Sequence, residues 1–502
     1  MNKWKGKVAV VTGASAGIGA AIADALVKEG MIVIGIARRK HIIEDNATRL
    51  RAEYEGILHA LEADITNEDD ILKVFNWTMH NYGPVHVLIN NAGISRLTTL
   101  CDGDTKMWKD IINTNVMGLC IATREAIKNM QKHQVNGHVI CISSIAGHFD
   151  SNMPYHIYSA SKKAVTAVTE TVRLELLSMN SRIKITTISP GHVYTEILKA
   201  TNLASGGLIS KEAEEQFRLQ NPALQAEDIA DAVLYALKTP PYVQSVAMDR
   251  WRNKVAVVTG ASSGIGAAIA EKLVKEEVIV VGLARGQEKL EEISKKLNHN
   301  KTYFYPRVAD ITKEEDILNA FNWAVTNLGP IHILVNNAGI VRFANLAEGS
   351  TDLWKQVFDT NVIGLCIATR EAVKNMKDNN VDGHIVHINS VAGHKIPLGT
   401  QIYGASKYAV TALTEILRQE LVSQGSKIKV SSISPGYVKT NIFQSALSNT
   451  ETPSVSTNTD LLTSIDAVLQ PEDVAESVLY TLGTPPHVQV HELIIKPVGE
   501  AF

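Results

Sequence analysis

The chain has 502 residues, too many for one ordinary domain and enough for two full hydrophobic cores. It is 45% hydrophobic and 20% charged with a net charge of −3, which gives no electrostatic reason to expect nucleic acid or an anionic membrane surface as a partner. The four cysteines (Cys101, Cys120, Cys141, Cys366) stand at no CxxC or Cys/His spacing, so buried thiols in a reducing compartment are expected rather than disulfides or a metal site.

The first predicted element is the strand run "KVAVVT" (Lys7–Thr12). Its early position argues against a secretory signal, no apolar run reaches the length of a membrane span, and the closing "GEAF" matches no targeting tag. A cytoplasmic location is therefore expected. "TGASAGIG" (Thr12–Gly19) follows, between that strand and the helical pattern Ala20–Glu29. Glycines there let the backbone turn tightly and approach a pyrophosphate seated on the N–H groups of a helix N-terminus. Taken alone, the same turn also fits an ordinary strand-to-helix connection. The candidate cofactor contacts are Gly13, Ser15, Gly17, Ile18 and Gly19.

The second strand, "MIVIGI", runs into "ARRK". An acidic residue about this far along would hold the ribose 2′-hydroxyl of NAD, whereas a guanidinium suits the 2′-phosphate of NADP. Arg38 and Arg39 stand there with no carboxylate, which favours NADP over NAD unless both are merely solvated loop arginines. The later runs "VHVLIN", "HVICIS" and "RIKITTIS" alternate with helical segments such as Tyr158–Ser178. Short continuous apolar strands separated by helices predict a doubly wound α/β fold, a parallel sheet covered on both faces with ligand sites at the carboxyl ends of the strands.

Ser144 closes the fourth of these strands, and "YSASK" puts Tyr158 and Lys162 four apart on one helix face. A nearby ammonium favours phenolate and is expected to draw the tyrosine pKa down, making it a usable acid or base at a carbinol or carbonyl oxygen. Ser144 would hold that oxygen.

From Lys254 the chain repeats itself. Lys254–Glu276 differs from Lys7–Glu29 only at Ala16/Ser263, Asp24/Glu271 and Ala25/Lys272. The second copy carries Gly260, Ser262, Gly264, Ile265 and Gly266 in its glycine turn, Arg285 alone after its second strand, and Ser390, Tyr403 and Lys407. Two whole Rossmann-type domains in tandem are expected, rather than a small-repeat array.

In this order the motifs resemble the short-chain dehydrogenase/reductase family over essentially the whole chain. They are "TGASAGIG", "NNAG" (Asn90–Gly93), "NTNV", Ser144, "YSASK" and "PGHVYT" (Pro190–Thr195), then "TGASSGIG", "NNAG" (Asn336–Gly339), "DTNV", Ser390, "YGASK" and "PGYVKT" (Pro435–Thr440). Runs such as "LCIATREA" and "YAVTALTE" narrow the likeness to a subgroup with insect farnesol dehydrogenases and dehydrogenase/reductase family member 11. The resemblance implies an NADP-dependent oxidoreductase of isoprenoid alcohols, steroids or other hydrophobic carbonyls. It adds Asn115 and Asn361 to the catalytic sets, ordering a relay water, and Asp64 and Asp310 at the adenine. Asn91, Ala92, Gly93, Asn337, Ala338 and Gly339 would line the cofactor groove. Pro190, Gly191, Val193 and Thr195, with Pro435, Gly436, Val438 and Thr440, would hold the nicotinamide end. Whether both sites work, or one domain serves as a built-in dimer partner, stays open; an intramolecular pseudo-dimer or a homo-oligomer is implied.

His148 and His394 read as structural, Trp77, Trp108, Trp323 and Trp354 as packing anchors, and Cys120 and Cys366 as core. Glu196–Gln225 and Asn441–Gln470 fall where the family carries its substrate lid, and they hardly resemble each other. The second copy ends "TPPHVQVHELIIKPVGEAF", but the first reaches "TPPYVQ" at Gln244 and runs into "SVAMDRW". We therefore expect a first domain over 1–244 without its final strand, a junction over 245–253 and a complete second domain over 254–502.

Overall fold

Runs of five or six apolar residues set up each sheet. In a computed structural model, which describes residues 1–148, 155–197, 200–201, 223–238, 248–298, 303–344, 346–396, 401–447, 468–498 and 500, the chain divides into two units, Met1–Tyr242 and Val243–Phe502.

In the first unit, strand β1 (Val8–Thr12) is buried at every position. Val8 and Val10 face one core with Ile71, Phe75 and Met130, while Ala9 and Val11 face another with Ile22, Leu26 and Val233. That two-sided burial is why the run is continuously apolar instead of alternating. Around β1 stand β2 (Ile32–Ala37), β3 (Ile57–Glu62), β4 (Val85–Asn90), β5 (His138–Ile142) and β6 (Lys184–Ile188), all parallel in the order β3-β2-β1-β4-β5-β6. Helices α1 (Gly17–Lys28), α2 (Lys40–Arg51) and α7 (Ala226–Lys238) supply one core; α3 (Glu68–Tyr82), α5 (Leu119–Lys132) and α6 (His156–Ser178) supply the other. Between α3 and α5 lies the short α4 (Thr105–Ile112). The chain reverses direction across the sheet between β1 and β4, so a crevice opens at their carboxyl ends.

The second unit repeats this with β7 (Val255–Thr259), β8 (Ile279–Ala284), β9 (Phe304–Val308), β10 (Ile331–Asn336), β11 (His384–Ile388) and β12 (Lys429–Pro435), and adds β13 (Glu492–Ile495), in the order β13-β12-β11-β10-β7-β8-β9. Its helices among the described residues are α8 (Gly264–Lys275), α9 (Gln287–Leu297), α10 (Glu314–Leu328), α11 (Thr351–Phe358), α12 (Gly364–Asp378), α13 (Gln401–Ser423), α14 (Ile442–Leu447) and α15 (Pro471–Gly483). Both units are Rossmann-like, and the first sheet is one strand shorter, as the sequence reading expects. Each unit starts with the same fastening. Trp4 Nε1 donates to Leu237 C=O, and Trp251 Nε1 to Leu482 C=O, both at 2.8 Å.

The extra strand changes its neighbour. Ser432 to Pro435 pair with Glu492 to Ile495, and every residue of β12 is buried, whereas every residue of β6 is only half-buried. Arg418 on α13 ties the strand in, donating from Nε to Val430 C=O at 3.0 Å and from Nη2 to His491 C=O. Lys429 Nζ is enclosed by Thr484 Oγ1 at 2.9 Å and Val488 C=O at 2.8 Å, and burial pushes it down to about 7.

All four cysteines are free, but Cys101 corrects the expectation of buried thiols. It is exposed because it sits in the polar β4–α4 loop beside Asp102 and Gly103. Cys141 is buried, while Cys120 and Cys366 are half-buried rather than core. Among the described residues no helix is long and apolar enough to cross a membrane. The two lid stretches lie mostly outside the described residues.

Candidate active sites

The glycine turn is locked to "NNAG" by the end of β1. Thr12 Oγ1 accepts from the N–H groups of Asn91 and Ala92, both at 2.9 Å, while Asn91 Nδ2 donates to Thr12 C=O and Gly13 C=O. Gly13 has φ +68°, the left-handed region, and a Cβ on Gly19 would meet Gly13 C=O at 2.2 Å, so a side chain at Gly19 would force the turn apart. Ile18 and Gly19 lie in the first turn of α1, whose N-cap Ala16 provides no side-chain cap, leaving N–H groups available to an anion. Thr259, Asn337, Ala338, Gly260 and Gly266 repeat the arrangement.

Arg38 and Arg39 follow β2, as the sequence predicts. Arg39 donates to Ser15 Oγ at 3.4 Å and pairs with Glu196 at 3.3 Å, bringing the glycine turn, the end of β2 and the "PGHVYT" turn to one place. Asp64 stands near Arg38. Burial alone would raise its carboxyl, but bonds from Thr66 N–H and Oγ1, with the charge of Arg38, hold it below its ordinary value. Asp310 is held the same way by Thr312 and Arg285. A guanidinium beside a hydroxyl can receive a phosphate, and a carboxylate can receive an amine.

The candidate catalytic residues converge beyond the ends of β4 and β5. Ser144 opens a 3₁₀ turn, its Oγ accepting from Ala146 N–H at 3.1 Å, and its hydroxyl is bonded to Tyr158. Ile145 N–H donates to Pro190 C=O at 2.9 Å, joining this turn to the one with Gly191, Val193 and Thr195. Asn115 sits in a π-helical turn, Asn113–Gly118, between α4 and α5. Such turns are frequent at functional sites. Asn115 Oδ1 accepts from Ile94 N–H at 2.8 Å, and Nδ2 donates to Ile94 C=O at 2.9 Å and Ser161 Oγ at 3.0 Å. Gly93 lies beside both Asn115 and Lys162: a Cβ there would be 3.4 Å from Asn115 Oδ1 and 3.7 Å from Lys162 Nζ. The second unit brings Ser390, Tyr403, Lys407, Asn361 and Gly339 together alike, with Asn361 Nδ2 donating to Ser406 Oγ at 3.0 Å. Pro435 ends β12, and Val438 bridges to Leu469 as Val193 does to Leu224.

One expectation reverses. Burial raises the phenol of Tyr158, and pushes Tyr403 up to about 12, against the downward pull of the Ser144 and Ser390 hydroxyls. The lysines do not overcome this. Each Nζ is 5.7 Å from the tyrosine ring centroid and donates away from it, Lys162 to Ile142 C=O and Lys407 to Ile388 C=O, both at 2.9 Å. Burial also lowers both lysines to about 8.

That lysine shift predicts a conflict between stability and activity. Burial of the ammonium is a cost to the folded state, and Lys162→Met removes it, so the variant should gain stability in the first unit at pH 7 while losing its turnover. The native lysine binds protons less tightly than the unfolded one, so the parent gains stability as pH rises from about 8 to 10.5. The advantage of the variant should shrink over that window in denaturant unfolding; a gain independent of pH would refute the assignment.

Ser161 and Thr12 are bonded into the candidate site, and the sequence reading passed over both as site residues. Ser161 couples Asn115 to α6 and donates to Tyr158 C=O at 2.6 Å; the only available signal was its place inside "YSASK". His148 bonds Ser189 Oγ, and His394 bonds Ser434 Oγ, both at 2.9 Å.

A family model described as short chain dehydrogenase matches residues 7–205 and again 254–451. Over 259 residues the chain is 49% identical to a farnesol dehydrogenase of Aedes aegypti, an alignment covering 51% of this chain and 100% of that protein. Over 261 residues it is 43% identical to the Homo sapiens dehydrogenase/reductase SDR family member 11, covering 50% and 97%. Among solved structures, the closed form of a serine dehydrogenase complexed with NADP+ is 30% identical with a TM-score of 0.45, covering 49% of this chain and 96% of that one. A short chain dehydrogenase/reductase from Burkholderia phymatum in complex with NAD is 27% identical with a TM-score of 0.43, covering 47% and 87%.

Proposed function

The chain belongs to the short chain dehydrogenase family through both of its units, and from that premise we propose that it is an NADP-dependent alcohol dehydrogenase and carbonyl reductase with two active sites. The substrate class is a hydrophobic alcohol or carbonyl: an isoprenoid alcohol such as farnesol, on the likeness to the Aedes aegypti enzyme, or a steroid. The observation that carries this reading is the duplicated set of Ser, Tyr, Lys and Asn, bonded alike in both units.

NADP, when bound, takes or supplies the hydride. Gly13, Ser15, Gly17, Ile18 and Gly19 would hold its pyrophosphate end, Arg38 and Arg39 its 2′-phosphate, Asp64 its adenine, and Asn91 to Gly93 with Pro190, Gly191, Val193 and Thr195 its nicotinamide end. The corresponding second set is Gly260, Ser262, Gly264 to Gly266, Arg285, Asp310, Asn337 to Gly339, Pro435, Gly436, Val438 and Thr440. Ser144 donates to the substrate oxygen and fixes it beside Tyr158 Oη. In reduction Tyr158 gives its proton to that oxygen; in oxidation it accepts the hydroxyl proton. Asn115 and Ser161 hold α6 in register with this oxygen, and Lys162 provides the cationic neighbour.

Assay of the full chain with NADPH and NADP+ against farnesol, a steroid and a small diketone tests the reading. Turnover with none of the three would reject the substrate class. Cofactor choice has its own test. Replacing both Arg38 and Arg39 by Asp should weaken NADPH at the first site by about 10- to 100-fold and leave NADH nearly unchanged. Equal losses for both cofactors would mean that the arginines do not read the phosphate.

A further inference from the structure

Glu500 is only 3% exposed, yet nothing in the proposed chemistry uses it. It follows β13 and reaches back to the turn "PGYVKT". Its Oε2 accepts a hydrogen bond from Tyr437 N–H at 2.7 Å. One residue earlier, Gly436 N–H donates to Ile495 C=O, also at 2.7 Å. Two successive N–H groups of the turn are therefore held by the segment that begins with β13, one by backbone and one by a buried carboxylate. A buried charge persists where hydrogen bonds meet it, so the contact is more than surface packing.

The fit is close enough to exclude a side chain at Gly436. A Cβ there would come within 2.1 Å of Glu500 Oε2 and 2.6 Å of Oε1. Among the described residues of the first unit the matching Gly191 is open, a Cβ there meeting only Ile145 Cδ1 at 3.8 Å, and His192 stands where the second unit has Tyr437. Burial, and then the charge of Glu500, push the Tyr437 phenol up to about 12, so the carboxylate faces a neutral ring.

We propose that Glu500 is a positioning residue for the second active site: through Tyr437 N–H it sets the turn that presents Val438 and Thr440 to the cofactor. The grip of the second site on NADPH then depends on the segment after β13, and that of the first does not. This rests on the reading that the "PG" turns hold the nicotinamide end.

Amide exchange followed by mass spectrometry through an NADPH titration of the full chain reads the two turns separately. Glu500→Ala should speed exchange at 436–440 without cofactor and raise the NADPH concentration for half-protection there by about fivefold. Peptides over 191–195 should titrate as before. Gly436→Ala, which displaces the carboxylate, should act in the same direction. Glu500→Gln keeps an oxygen acceptor and should return the midpoint to within about twofold of the parent. An unchanged midpoint at 436–440, or equal shifts at both turns, overturns the proposal. If the parent chain shows no NADPH protection at either turn, the cofactor reading fails with it, a result visible before any variant is made.

Discussion

Tyr158→Phe should lower turnover at the first site by about 10²- to 10⁴-fold and leave the second site working, with Tyr403→Phe doing the reverse. Each single variant then keeps the activity of its intact site, and only the double variant loses both. Phenylalanine preserves the ring and its packing, so the loss reports the hydroxyl. If either single change abolishes all turnover, the chain has one working site and the other unit is support. The pH dependence follows from the raised tyrosines. At neutral pH both phenols carry their protons, the form that donates to a carbonyl oxygen. Reduction should be nearly flat through neutral pH. Oxidation needs the deprotonated acceptor and should climb as pH rises towards the tyrosine pKa. An oxidation rate that falls with rising pH would contradict the assignment of Tyr158 and Tyr403 as the groups that move the proton.

Deleting residues 489–502 should destabilise the second unit by about 3–5 kcal/mol, a drop of roughly 10 °C in its midpoint. The lost contacts are specific: Ser432 N–H to His491 C=O at 3.0 Å, Val430 N–H to Gln489 Oε1 at 2.7 Å, the bond from Arg418 Nη2 to His491 C=O, and both bonds on the Gly436–Tyr437 turn. Arg418 would be left buried with a partner missing, which costs more than the bond itself. By the same reasoning the first unit excised at Gln244 should melt below the second excised as 245–502. Calorimetry on the two pieces decides this, and equal midpoints would show that the strand adds nothing to stability.

Much of this organisation could be read from the chain because it is local. "KVAVVT" is apolar at each position since both faces of β1 are covered, and "YSASK" puts Tyr158 and Lys162 on one helix face by spacing alone. The shortened first sheet was visible as a missing run after "TPPYVQ". What escaped depends on contacts between distant residues. Ser161 meets Asn115 across 46 positions, and Arg39 meets Glu196 across 157. The tyrosine shift had the wrong sign because adjacency to a lysine is legible in spacing, whereas the depth of burial that outweighs it is not. Cys101 was misjudged similarly: residue type favours the interior, but its loop carries it outside.

The half-buried β6 has a bearing on how the protein behaves in concentrated solution. A sheet margin of unpaired N–H and C=O groups is a template on which another chain can pair, and natural proteins blunt such margins with short strands and lysine. β6 is five residues long and begins with Lys184, followed by Ile185, Thr186, Thr187 and Ile188. Among the described residues no strand lies on its outer side. Strand pairing with another chain should therefore use β6 more readily than β12, whose matching margin is taken by β13.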